Sequence, residues 1–174
     1  DGQDLGSHIG HMAQSVELYP GTVAENIARF TDAEDDKIIA AAILAGVHDM
    51  ILHLPDGYET KIGTKNGLLS LGQCQRIGLA RAVFGYPKFI VLDEPNSNLD
   101  EVGERALATA IQELKQTGAT IFVITHRTTI LSQLDRLLVM SAGGISMYGP
   151  RDQVMEELNK QQIAAQQKAQ VGTG

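Results

Sequence analysis

Cysteine, positive charge and long apolar runs are all scarce in this 174-residue chain, and each scarcity closes off a class of protein. A single cysteine, Cys74, excludes an internal disulfide and fits a reducing compartment. Lysine and arginine number 14 against 21 acidic residues, giving a net charge of −7 and a pI near 5.1. No basic face advertises nucleic-acid binding. The longest apolar run, residues 38–47, falls well short of the roughly 20 residues that a membrane-spanning helix needs. Membrane association would have to come through a partner or another part of a polypeptide. There is no secretory signal, no coiled-coil heptad pattern and no internal repeat. The phosphate-binding loop G-x-x-x-x-G-K-[ST] occurs nowhere in the sequence. The chain opens on Asp1, inside a strand-turn phrase (DGQDLGSHIG), and reads as a piece of something longer.

What remains is ordinary globular material, with 43% hydrophobic and 20% charged residues, enough for one domain with a subdomain. Thr31 to Glu34 has capping-box spacing and is expected to open a helix whose apolar face carries Ile38, Ile39, Ala42, Ile43, Gly46 and Val47. A second short helix should stop before Pro55, and residues 55–69 read as loop. Ser70 can cap a helix running to about Phe84, which Gly85 and Pro87 end. The continuous apolar run 89–92 suits a strand covered on both faces. Asp100 caps the next helix, with core positions Leu107, Ala110, Ile111 and Leu114 and a stop at Gly118. Residues 119–125 (ATIFVIT) form a second buried strand, so strand, helix and strand make a parallel βαβ unit. Residues 137–140 supply a further strand, with a tight turn at Gly143-Gly144 into 145–148. The Gln/Ala-rich tail after Leu158 reads as a weak helix that frays.

The chemistry concentrates in residues 69–100. Asp93 closes one strand and His126 follows the end of the next, so both should lie on the carboxyl edge of one sheet, where ligands gather in open parallel sheets. A carboxylate there can hold Mg²⁺ through water while the metal bridges nucleotide phosphates. The adjacent Glu94 can polarise an attacking water, and His126 can reach the phosphate under attack. Taken alone, an acidic pair at a strand end is a common solvated turn. Ser70-Leu71-Gly72-Gln73 shifts the balance. A helix N-terminus attracts phosphate, Ser70 adds a hydroxyl, and Gly72 permits close backbone approach.

LSLGQCQRIGLARA followed by FIVLDEPNSNLD makes residues 1–158 resemble an ABC-transporter nucleotide-binding domain from the Q-loop onward. The resemblance implies an α/β P-loop NTPase (RecA-like) core with an inserted helical subdomain and the phosphate-loop portion missing. It divides the chain into a core remnant (1–14), a helical subdomain with the signature (15–86), an α/β core (87–157) and a flexible tail (158–174). By the same resemblance Gln14 is the Q-loop glutamine, contacting Mg²⁺, and Ser70, Gly72 and Gln73 belong to the nucleotide-binding signature. Asp93 is the Walker B aspartate and Glu94 the catalytic glutamate. Asp100 closes the D-loop beside the nucleotide, and His126 is the catalytic switch histidine. The implied cofactors are ATP and Mg²⁺.

VELYPGTVAENIARF, LDEPNSNLDEVGE and MYGPRDQVMEEL narrow the resemblance to type I secretion ATPase/permeases that export proteases and lipases. Such a protein implies a second nucleotide-binding domain in a head-to-tail dimer and exporter transmembrane domains in the same full-length polypeptide. It also implies a periplasmic adaptor, an outer-membrane channel and a place on the cytoplasmic face of the bacterial inner membrane. No nucleic-acid partner is expected. The isolated chain should then be inactive, with ATP hydrolysis belonging to the full-length protein.

The sequence also departs from that family's pattern. Leu71 stands where a small residue is usual and Cys74 where arginine is usual. Residues 63–67 lack an acidic residue, and Gln14 sits in HMAQS. Leu71, Cys74 and the missing phosphate loop favour an alternative, a truncated or degenerate paralogue offering at most a signature face. The remaining residues read blandly. His8, His11, His48 and His53 lack convergent ligand spacing. Cys74 reads as a packed thiol, and Glu34-Asp35-Asp36 as a solvated first turn.

Overall fold

The computed structural model describes residues 6, 8–63 and 69–171, with side chains to residue 164. The start of the 1–14 segment, residues 64–67 of the departure noted above and the end of the tail lie outside the described residues. The chain divides into two units, Asp1–Arg127 and Thr128–Gly174.

The first unit is α/β. Its sheet joins β1 (Ile9–Met12), β4 (Phe89–Asp93) and β5 (Thr120–Ile124), all parallel, in the order β1-β4-β5. Central β4 pairs on both sides, but burial alternates along it. Ile90 and Leu92 are fully buried while Phe89 on the opposite face is 40% exposed, so the strand is not covered equally on both faces as its apolar run suggests. The connection from β4 to β5 is α5 (Glu101–Gln116), capped as expected when Asp100 Oδ1 accepts from the Gly103 N–H at 2.8 Å. Leu107, Ala110, Ile111 and Leu114 form its buried stripe, and Gly118 (φ +78°) turns the chain away.

Between β1 and β4 come α1 (Val23–Ile27), α2 (Asp35–Leu44), α3 (His48–Leu52) and α4 (Leu71–Val83). Two-residue strands β2 (Gly21–Thr22) and β3 (Lys61–Ile62) pair antiparallel beside them. Helix α4 packs against α1, α2 and β1, burying Ile77, Leu79, Ala80, Ala82 and Val83. Its approach to β1 is at backbone distance. A Cβ on Gly10 would lie 2.1 Å from the Ala82 carbonyl oxygen, so only glycine fits there.

Local expectations are corrected at several places. Residues 119–125, read as a buried strand, form β5 without one fully buried residue, Phe122 and Ile124 being mostly exposed. The capping box at Thr31 does not form. Glu34 is the N-cap of α2 without a side-chain cap, and the Thr31 hydroxyl donates back to the Ala28 carbonyl. A capping box forms instead at Thr22 and Glu25, opening α1. Residues 55–69 are not all loop either, since a 3₁₀ turn (Gly57–Glu59) and β3 occupy part of them.

The second unit is a β-hairpin, β6 (Arg136–Ser141) and β7 (Gly144–Pro150), followed by helix α6 (Arg151–Val171). Its turn falls one residue earlier than read, at Ala142-Gly143, both at positive φ (+49° and +79°). Among the described residues, no helix is long and apolar enough to cross a membrane.

Candidate functional site

β4 and β5 run in register, Asp93 opposite Ile124, so both strands deliver their next residues to the same carboxyl edge. The Glu94 N–H donates to the Ile124 carbonyl at 2.8 Å, extending the ladder by one bond. Glu94 then turns left-handed, at φ +46°. That conformation costs a non-glycine residue on the order of 1–3 kcal/mol, so the surrounding contacts must hold it. Its carboxylate Oε1 lies 2.8 Å from His126 Nδ1. A carboxylate only accepts, so Nδ1 carries the proton and the exposed imidazole leaves Nε2 outward of that bond. The two side chains differ sharply in exposure, His126 at 76% and Glu94 at 12%. The second carboxylate oxygen, Glu94 Oε2, is buried with no hydrogen-bond partner among the described residues.

Gln14 follows β1, which pairs parallel to β4 with Met12 opposite Leu92, so it too emerges at this edge, exposed. Asp93, half-buried, Glu94, His126 and Gln14 therefore share one edge. No cluster of three His, Cys, Asp or Glu residues suited to a metal exists among the described residues. The oxygen donors here fit Mg²⁺ nonetheless, because that ion keeps most of its waters and needs only one or two protein oxygens beside phosphate. The orphaned Glu94 Oε2 is chemically suited to accept from a water hydroxyl.

The Ser70 turn lies at the start of α4. Ser70 Oγ accepts from the Gln73 N–H at 3.2 Å, and Gln73 Oε1 accepts from the Ser70 N–H at 2.8 Å, a reciprocal capping box. Because Ser70 Oγ accepts in this bond, its own O–H remains a donor. Leu71 at the first helical position is 73% exposed. Gly72 makes a close approach within the protein itself: a Cβ there would lie 2.7 Å from the Asn98 carbonyl oxygen. Asp100 is occupied as the α5 cap. Burial pushes the Cys74 thiol above its ordinary pKa, so it is a poor nucleophile.

One residue escaped the sequence reading. Gln75, one turn into α4, is 2% exposed. Its amide nitrogen donates to the Glu94 carbonyl (3.0 Å) and to Ser97 Oγ (3.1 Å), and its oxygen accepts from the Asn98 N–H (3.0 Å). Thr125 Oγ1 meets Asn96 Oδ1 at 3.3 Å, and Arg127 donates to the Ser97 carbonyl at 3.0 Å. The loop 94–98 is thus held from α4 and from the end of β5. The available signal was positional, because Gln75, Leu79 and Ala82 recur at i, i+4 and i+7, placing an amide in an apolar stripe.

A family model for the ABC transporter matches residues 1–97. The chain belongs to the ABC transporter family. It is an ABC transporter ATP-binding domain with the P-loop NTPase α/β fold, a fold whose open parallel sheet gathers ligands at its carboxyl edge. The chain is 46% identical over 170 residues to the type I secretion system ATP-binding protein PrsD of Rhizobium meliloti, covering 97% of this chain and 29% of that protein. It is 37% identical to ABC transporter B family member 4 of Dictyostelium discoideum, over 94% of this chain and 22% of that one. It is 38% identical to the ATP-dependent lipid A-core flippase of Chromobacterium violaceum, over 89% and 26%. The chain therefore spans less than a third of the length of these ABC relatives.

Proposed function

We propose that this chain supplies the signature, water-activating and switch elements of an ABC exporter ATPase that energises type I protein secretion. The observation that carries the proposal is Glu94, left-handed and bonded to His126, with its other oxygen buried and without a hydrogen-bond partner among the described residues. Bound at this edge, Mg²⁺ would supply positive charge to offset the negative charge that develops in phosphoryl transfer. Asp93 and Gln14 are the oxygen donors that would hold it. Glu94 Oε2 accepts a proton from the attacking water, while His126 fixes the carboxylate through Oε1 and reaches toward the phosphate under attack. Ser70, Gly72 and Gln73 present a helix N-terminus to phosphate, and Asp100 orders the following loop.

The secretion reading is supported by the similarity to PrsD and by the VELYPGTVAENIARF and MYGPRDQVMEEL phrases. In this reading two ATP-binding domains pair head to tail, so Ser70 and Gly72 serve the partner's nucleotide. The transmembrane domains belong to the same full-length polypeptide, at the cytoplasmic face of a bacterial inner membrane. A periplasmic adaptor and an outer-membrane channel complete the route.

The backbone amides and lysine of a phosphate loop give most of the grip on the phosphates. With no such loop in these 174 residues, the chain alone is expected to hydrolyse ATP negligibly in a phosphate-release assay. Robust, Glu94-dependent turnover by the isolated chain would refute the proposal. A second reading, a degenerate paralogue with an idle signature, is favoured by Leu71. It expects the full-length protein to be inactive as it stands, with Leu71→Gly raising turnover if the leucine is what idles the signature, whereas the catalytic reading expects turnover before any such change.

A further inference from the structure

Gln75 uses its whole amide on one loop. Both amide hydrogens and the carbonyl oxygen are engaged, on Glu94, Ser97 and Asn98, and none of these bonds is within α4. A buried, fully satisfied amide fixes its partners more stringently than apolar packing does, because any displacement leaves polar groups unpaired. The backbone it fixes is the left-handed one at Glu94, whose carbonyl is a direct acceptor. A second contact joins the same two segments, since Gly72 meets the Asn98 carbonyl at a distance only glycine tolerates. The turn Ser70–Gly72 and the carboxylate Glu94 are therefore fastened to each other within one chain. Ser97 is held a second time, its carbonyl accepting from Arg127 at 3.0 Å.

We infer that Gln75 is a positioning residue for Glu94, coupling the signature turn of α4 to the orientation of the general base in the same subunit. This rests on the reading above. In a head-to-tail dimer Ser70 faces the partner's nucleotide while Glu94 faces its own, so Gln75 links the two sites of the dimer. A displacement of α4 on the first nucleotide is transmitted through Gln75, seconded by the Gly72–Asn98 contact, to the base at the second. Gln75 touches no reacting atom; it acts through the Glu94 backbone.

The test replaces Gln75 with methionine, close in length and volume and without hydrogen-bonding groups. In the full-length protein, kcat is expected to fall by about tenfold to a hundredfold, the scale of a misplaced catalytic group, while KM for MgATP changes less than about twofold. In the Glu94→Gln background, Gln75→Met is expected to cost nothing further, because the group it positions is already gone. A readout independent of turnover is amide hydrogen exchange in nucleotide-free protein. Exchange at the Asn98 N–H should accelerate in Gln75→Met while Ile77 and Leu79 in α4 keep their protection. Ser97→Ala, which removes one of the three partners without disturbing α4, should give a smaller fall in kcat and serves if Gln75→Met does not fold. Wild-type kcat and unchanged Asn98 exchange in either variant overturn the inference. So does an equal fractional loss with and without Glu94. If Glu94→Gln itself retains wild-type turnover, the functional reading fails and the inference fails with it. If Glu94→Gln is inactive and Gln75→Met is not, only the inference fails.

Discussion

At Gly72 a missing side chain does structural work as well as exposing backbone. Its Cα faces the Asn98 carbonyl oxygen, and a methyl group placed there would sit 2.7 Å from an atom of the main chain that cannot rotate away. Gly72→Ala is therefore expected to destabilise the chain by about 1–3 kcal/mol through forced backbone displacement, read as a shift in urea midpoint. An unchanged midpoint would mean that the loop 94–98 yields freely. Other residues divide by how local their signal is. The Ser70 cap and the Asp100 cap were legible because a capping side chain bonds its own helix within three residues. Thr31 had the same spacing and failed, since its hydroxyl found the Ala28 carbonyl first. Gln75 was not legible, because its partners lie 19 to 23 positions away.

Elements with sustained apolar patterns were readable in place and in type, as β4, α5 and β5 show. The two-residue strands β2 and β3 have no periodicity to read, and tertiary pairing alone creates them. The joint between α4 and β1 is likewise a long-range product. Arg29, itself left-handed at φ +56°, donates to the carbonyls of Arg81 and Ala82 at the end of α4 and to those of Gly6 and Ile9 on the β1 side, at 2.9–3.0 Å. Burial lowers its pKa, as does the neighbouring Arg81 charge, yet a guanidinium remains protonated across the working range. A lysine cannot reproduce a four-bond fork. Arg29→Lys is expected to cost about 2–4 kcal/mol in chemical denaturation, a few charge-assisted bonds' worth, and to do so without loss of helical circular dichroism at low denaturant. A cost below about 0.5 kcal/mol would show that the joint holds by packing alone.

For the molecule as a whole, the sheet's other edge matters. Phe122 and Ile124 on β5 are 58% and 55% exposed, and Phe89 adjoins Phe122 with ring centroids 5.6 Å apart. Among the described residues β5 pairs only with β4, so one edge carries open backbone groups beside exposed aromatic surface. The isolated chain is expected to self-associate with rising concentration, and Phe122→Thr to reduce this in light scattering. Equal scattering from both proteins would count against the edge as the cause.

The central claim, that the carboxyl edge of β4 and β5 is a hydrolytic site with Glu94 as its base, is a claim about the whole assembly. Its most direct test is steady-state ATP hydrolysis by the full-length protein and by its Glu94→Gln variant, with nucleotide-driven dimerisation followed by size-exclusion chromatography. The account expects turnover to fall by about a hundredfold or more, as loss of a general base should produce, while the ATP-bound dimer accumulates. Wild-type turnover in Glu94→Gln would contradict it.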